Sequence, residues 1–138
     1  MIDKISFRAF VAATEDEGRV REALGIFVPL DRISTTIAEG HFGNEIKILE
    51  ASLKRKEGQA FFQILHEQLL PNDAQRLRQE ISDRLEGDSH FHLRLDKQAA
   101  YKGMLRLTDA KDALDVSALI KTYPSRRSEA LRLLRELL

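Results

Sequence analysis

Apolar and polar residues alternate from Ile5, with Ile5, Phe7 and Ala9 on one side and Ser6 and Arg8 on the other. That period of two predicts a strand over residues 5–13. The pattern then changes. Thr14-Glu15-Asp16-Glu17 has the form of a capping box, with Thr14 as the cap and Glu17 reaching back. Val20, Ala23 and Leu24 supply a helical stripe. Gly25 is placed to close that helix in a left-handed conformation. Residues 32–38 alternate again, Ile33, Thr35 and Ile37 against Arg32, Ser34 and Thr36, and their β-branched content predicts a second strand. A turn over residues 40–44 leads into a third, residues 45–53. Its apolar phase slips from Ile46 and Ile48 to Leu49, Ala51 and Leu53, which predicts either a bulge or burial on both faces. The two strands read as a hairpin with a long loop.

Two helices should follow. The first lies beyond Gly58, carries Phe61, Phe62, Leu65 and Leu69, and stops at Pro71. The second is capped by Asn72, carries Leu77, Ile81 and Leu85, and ends at Gly87. Residues 90–96 alternate, with Phe91, Leu93 and Leu95 inward. A short helical turn closed by Gly103 comes next, then strands over residues 104–108 and 114–122. A last helix begins near Pro124 and Ser125 and buries Leu131, Leu134 and Leu138. Strands and helices do not alternate regularly, which disfavours a doubly wound parallel sheet. The order predicts one α+β domain over residues 1–138, a mainly antiparallel sheet with helices packed on one face.

Composition narrows the function. The chain is 43% hydrophobic and 32% charged, as expected of a folded domain with a well-solvated surface. Its 22 basic and 22 acidic residues cancel, which excludes a polycation that coats nucleic acid by net charge. It has no cysteine, so disulfides, thiolate metal sites and a cysteine nucleophile are excluded. No apolar run is long enough to span a bilayer, and the first residues do not form a signal peptide. The expectation is a cytoplasmic protein with no membrane partner.

No phosphate-binding loop, dinucleotide fingerprint or nucleophile elbow is present, so the chain is not expected to be an enzyme or to hold a cofactor. His90 and His92 share a strand face with Asp96, but no further ligand is evident nearby, and a solvated face is the simpler reading. Asp109, Asp112 and Asp115 lack the glycine and glutamate of a calcium loop and read as acidic surface. Residues 94–106 set Arg94, Lys97, Lys102 and Arg106 against one acid, Asp96, with Gln98 and Tyr101 among them. Such a set can neutralise phosphates and stack on a base. Asp96 can cap the turn that carries Lys97 and Gln98. In the 40–44 turn, His41 and Asn44 offer hydrogen bonds and Phe42 a stacking ring. Lys54, Arg55 and Lys56 lie a strand's length away, so they belong to a different surface. Arg126 and Arg127 sit at the unfavourable end of the last helix, which points to an anion or an acidic partner.

The segments FVAATEDEGRVREAL, GHFGNEIKILEASL and LRLDKQAAYKGMLRL together resemble an archaeal family of small RNA-binding proteins, also described as predicted exosome subunits. The likeness spans nearly the whole chain. It implies a fold similar to the 5S-rRNA-binding large-subunit ribosomal protein and a non-catalytic role on structured RNA, ribosomal or a processing substrate. The matching positions are His41, Phe42, Gly43 and Asn44, then Arg94, Asp96, Lys97, Gln98, Tyr101 and Gly103. The competing expectation is an interaction module, a homodimer or a subunit of a protein complex, that makes no direct RNA contact.

Overall fold

A computed structural model describes residues 1–40 and 43–138. The elements are β1 (Ile2–Val11), α1 (Glu17–Leu24), β2 (Ser34–Glu39), β3 (Glu45–Lys54), α2 (Lys56–Gln68), α3 (Pro71–Gln79), α4 (Ile81–Arg84), β4 (Leu85–Glu86), β5 (His90–Leu95), α5 (Lys97–Tyr101), β6 (Leu114–Ile120) and α6 (Arg127–Leu137). The strands form one six-stranded sheet in the order β2-β3-β1-β6-β5-β4. Every neighbouring pair is antiparallel. The helices pack on one side, so the predicted α+β architecture holds.

The period of two decides which side that is. Ile5, Phe7, Ala9 and Val11 of β1 are buried, as are Leu49 and Leu53 of β3, Leu114, Val116 and Ala118 of β6, and Phe91, Leu93 and Leu95 of β5. Against them α2 lays Phe61, Phe62 and Leu65, each about 1% exposed. A chain of rings runs through this layer. Phe7 stacks on Phe27 at 5.5 Å between centroids, and Phe61 meets both edge-on at 5.3 and 5.2 Å. Phe62 continues the chain to Phe91 at 6.4 Å. Each such side chain stabilises the fold by about 2–3 kcal/mol through burial alone. Gly58, inside α2, lets the helix approach β1. A Cβ there would lie 2.8 Å from Cγ2 of Ile2.

Several local expectations are corrected. Asp16, not Thr14, caps α1 and accepts from the Gly18 amide at 2.9 Å. Glu17 is drawn away from a capping role to Lys47 and Arg21, at 3.1 and 3.2 Å. Gly25 stays right-handed, at φ −62°, and the chain turns on through Phe27 and a 3-10 turn at Leu30–Arg32. Asn72 does not cap; α3 begins with Pro71 at its first position, where the missing N–H costs nothing. The single helix expected over 72–87 breaks at Glu80 into α3 and α4, and its last residues become β4. The 104–108 segment makes only isolated bridges, Leu105 to Leu69 and Leu107 to Leu95. The phase slip in β3 is not a bulge, because β3 keeps unbroken register with β1 and β2; Leu49 and Leu53 are buried on the helix side, and Ile46 and Ile48 are half-buried on the other. The irregularity lies instead in β1 pairing with β6, between Ile2 and Lys4. Asp96 does cap α5, accepting from the Ala99 amide at 2.8 Å, and Gly103 follows at φ 83°.

One ion pair ties the 3-10 turn to α2. Arg32 meets Glu57 at 2.5 Å and also donates to the Ser52 carbonyl. The hydrogen bond from Arg32 is the main reason the Glu57 carboxyl titrates below its ordinary 4.5. A depressed folded pKa stabilises above the unfolded value and stops doing so as pH falls through the folded one. Glu57→Gln is therefore expected to lower the melting temperature at pH 7 and to leave it close to that of the parent at pH 3. Thermal melts at the two pH values measure this; an unchanged gap at pH 3 would show that the pair contributes nothing through its charge.

Candidate nucleic-acid interface

The two segments that hold the matching positions, residues 40–44 and 94–103, end up at one end of the sheet. β1 and β5 finish there, and β3 and β6 begin there. Gly40 donates to the Asn44 carbonyl at 2.5 Å, and Gly43, at φ 77°, closes the turn with an exposed Asn44 beside it. His41 and Phe42 lie outside the described residues. β3 stands three strand positions from β5, roughly 14 Å at about 4.8 Å per strand. The hollow between is lined by Glu15, Glu17 and Glu45 with Lys47. The two segments share an end of the molecule without forming one basic surface.

Lys97 is not offered to a ligand. Its side chain is 8% exposed, and Nζ donates to the Phe10 carbonyl at 2.9 Å and to both Glu15 carboxylate oxygens at 3.0 and 2.9 Å. Asp112 lies 2.6 Å away. A lysine spent on a carbonyl and two carboxylates pins α5 to the end of β1. This corrects its expected place among the phosphate contacts. Gln98 and Tyr101 of α5 and Lys102 just after it are exposed. They line a hollow of about 480 Å³ with Thr14, Asp16 and Arg19. Arg19 sits over the Tyr101 ring at 5.3 Å, so that face already has a cation on it.

The three aspartates read as acidic surface each take a different cation. Asp109 meets Arg76 at 2.5 Å, Asp112 meets Lys97, and Asp115 meets Arg94 at 2.8 Å. His92 pairs with Glu86 at 3.0 Å, and no cluster of three or more metal-capable side chains exists among the described residues. Arg127 is satisfied internally, donating to the carbonyls of Ser82, Leu85 and Gly87. Its position at a helix start thus reflects backbone acceptors rather than an anion.

The larger feature is the sheet face that carries no helix. Cross-strand register orders it into rows. One runs Ser34, Glu50, Arg8, Asp115, Arg94, alternating in charge. The next runs Ser52, Ser6, Ser117, His92. Beyond it Lys54 and Lys4 stand directly opposite one another, with Leu119 and His90 alongside. Like charges so placed repel, and neither lysine meets a carboxylate among the described residues. On the other flank Ile48 is opposite Phe10, which is 36% exposed and has Arg8 over its ring at 5.1 Å. The Leu95–Leu107 bridge places Thr108 opposite Arg94 and Arg106 opposite Asp96, both on this same side. Ser6, Ser117, His92 and their neighbours floor a shallow groove of about 790 Å³, edged by Asp83, Arg84, Glu86 and Asp109.

Of the residues on this face, the sequence pattern singled out Arg94 and Arg106 as candidates and did not single out Lys4, Arg8 or the serine row. Their outward phase was legible on β1. Which outward face would lack helices was not.

A family model described as RNA binding matches residues 4–120. The uncharacterized protein MJ0213 of Methanocaldococcus jannaschii is 32% identical over 137 residues, covering 94% of this chain and 91% of the relative. The RNA-binding protein PAB1135 of Pyrococcus abyssi is 28% identical over 139 residues, covering 96% and 90%. Among solved structures, the DUF54 protein AF2318 from Archaeglobus fulgidus superimposes with a TM-score of 0.87 at 34% identity, covering 100% of both chains.

Proposed function

The chain belongs to the RNA-binding family, and on that premise we propose that it is a non-catalytic protein that holds structured RNA on the helix-free face of its sheet. The observation that carries this reading is the row Ser52-Ser6-Ser117, flanked by Lys4 and Lys54 on one side and by Arg8 and Arg94 on the other. Small hydroxyls let a ribose-phosphate backbone come close and can bond its 2′-hydroxyls. The cations on either side neutralise phosphates. Arg94 spends only Nε on Asp115, and its terminal nitrogens have no acceptor among the described residues. Phe10 gives a base a stacking surface at the edge. Asn44, Gln98, Tyr101, Lys102 and Arg106 border the same end of the sheet and extend the contact there, and His41 and Phe42, close to Asn44 in the sequence, are proposed with them. Lys97 positions α5 from within.

Glu50, Asp115 and Glu86 sit among these cations, so recognition rests on shape and a few phosphates rather than on a strong positive field. The resemblance to predicted exosome subunits and to the 5S-rRNA-binding ribosomal protein supports a place beside RNA-processing or ribosomal RNA. The paired variant Lys4→Ala/Lys54→Ala and the single variant Arg8→Ala should each weaken binding to a folded RNA. For each phosphate that a variant no longer neutralises, the slope of log K against log salt should fall by about 0.7–0.9. Filter binding at several salt concentrations measures both. Affinity no higher than that of a neutral control protein, or slopes unmoved by these variants, would reject this face as the RNA site.

A further inference from the structure

β2 is the outermost strand of the sheet and keeps unbroken register with β3 from Ser34 to Glu39. Among the described residues, no strand pairs with its other side. Gly40 donates to Asn44 across the hairpin, so by alternation Thr35, Ile37 and Glu39 direct their amides and carbonyls outward. Edge strands are ordinarily blunted by lysine, proline, a bulge or shortness. The far edge follows that rule, since β4 has only Leu85 and Glu86. β2 does not: its sequence is STTIAE, and Ile37 at its middle is 65% exposed.

One charge on this edge is also unsettled, while Arg21 near it is already paired with Glu17. Glu39 lies directly opposite Glu45 in the hairpin, a repulsive placement. At the other end of the strand Arg21 reaches from α1 to donate to the Thr35 hydroxyl.

We propose that this edge pairs with the same edge of a second copy of the chain, antiparallel, about a two-fold axis through Ile37. That register sets Ile37 against Ile37 and Thr35 against Glu39, so all three outward-facing residues exchange backbone hydrogen bonds. The Arg21 guanidinium of each copy then lies beside the Glu39 carboxylate of the other. A second copy fits better than an unrelated extended peptide because the edge complements itself in both backbone phase and charge. The axis stands perpendicular to the sheet, so the two sheets join with their helix-free faces on the same side. A single strand pair buries less than a standard interface, so the dimer forms in a concentration-dependent way.

The chain has no cysteine, so one introduced thiol reports on the register. Ile37→Cys should cross-link to itself under mild oxidation, because directly opposed Cα atoms about 5.5 Å apart suit a disulfide. Ser34→Cys should not, since its two copies would lie roughly 20 Å apart at about 3.4 Å per residue. Sedimentation equilibrium of the cysteine-free chain, without RNA, should show a mass rising toward twice 15.8 kDa with concentration. Ile37→Lys should abolish that rise while leaving the circular dichroism spectrum unchanged. Glu39→Lys should weaken association about tenfold or more, and Arg21→Glu/Glu39→Lys should restore it. A chain that stays monomeric at every concentration, a dimer indifferent to Ile37→Lys, or equal cross-linking of both cysteine variants would each overturn the proposal.

Discussion

Lys97→Ala is expected to melt roughly 10 °C below the parent while its folded fraction binds RNA as the parent does. The side chain is 8% exposed and compensates Glu15, Asp112 and the Phe10 carbonyl together. Removing one partner of a buried pair ordinarily costs about 3–5 kcal/mol, because the other charge is left unpaired. Here the carboxylates keep some solvent, with Glu15 30% and Asp112 68% exposed. About 2–3 kcal/mol is therefore the expected loss, from a total that is itself about 5–15 kcal/mol. Glu15→Gln in the same background should recover part of it by removing the orphaned charge. Urea titration gives the stability, and binding measured well below the transition gives the affinity. The opposite outcome, an unchanged midpoint with abolished RNA affinity, would return Lys97 to the phosphate contacts that its sequence context suggested.

Phe61→Ala should cost still more, about 3–5 kcal/mol. Its ring is 1% exposed and touches Phe7 and Phe27 edge-on, with Phe62 at 5.7 Å. Truncation removes the buried area and leaves a cavity that its stiff aromatic neighbours cannot fill. Edge-to-face pairs each add about 0.5–1.5 kcal/mol beyond burial, and the substitution removes all three together. The loss should appear as a lower urea midpoint with an unchanged slope. Phe61→Leu should fall between the parent and the alanine variant. A loss below about 1.5 kcal/mol would mean that the layer between α2 and the sheet collapses far more readily than close packing allows.

These two residues also mark where local pattern was sufficient. Phe61 was legible as core from helical spacing alone, since Phe62 and Leu65 share its stripe and one stripe must face the sheet. Lys97 was not. Its neighbours Arg94, Lys102 and Arg106 made it look like one of a set of phosphate contacts. Its partners, however, come from residues 10, 15 and 112, which no local window contains. The capping box at Thr14 failed for a related reason. Glu17 found Lys47 on a neighbouring strand, and Asp16 took the cap that Glu17 would have completed.

The sequence by itself determined most of the element types, most of the residues that turn inward, the α+β class and the exclusion of cysteine chemistry and of binding by net charge. Those depend on period, turn chemistry and composition, which act over a few residues. Only the tertiary structure decided which sheet face stays bare, that Ser52, Ser6 and Ser117 line up across three strands, and that β2 ends as an open edge. Strand order and register set those features. They arise when segments far apart in the chain share one core, and burying the same apolar residues does not specify in advance which polar ones will meet.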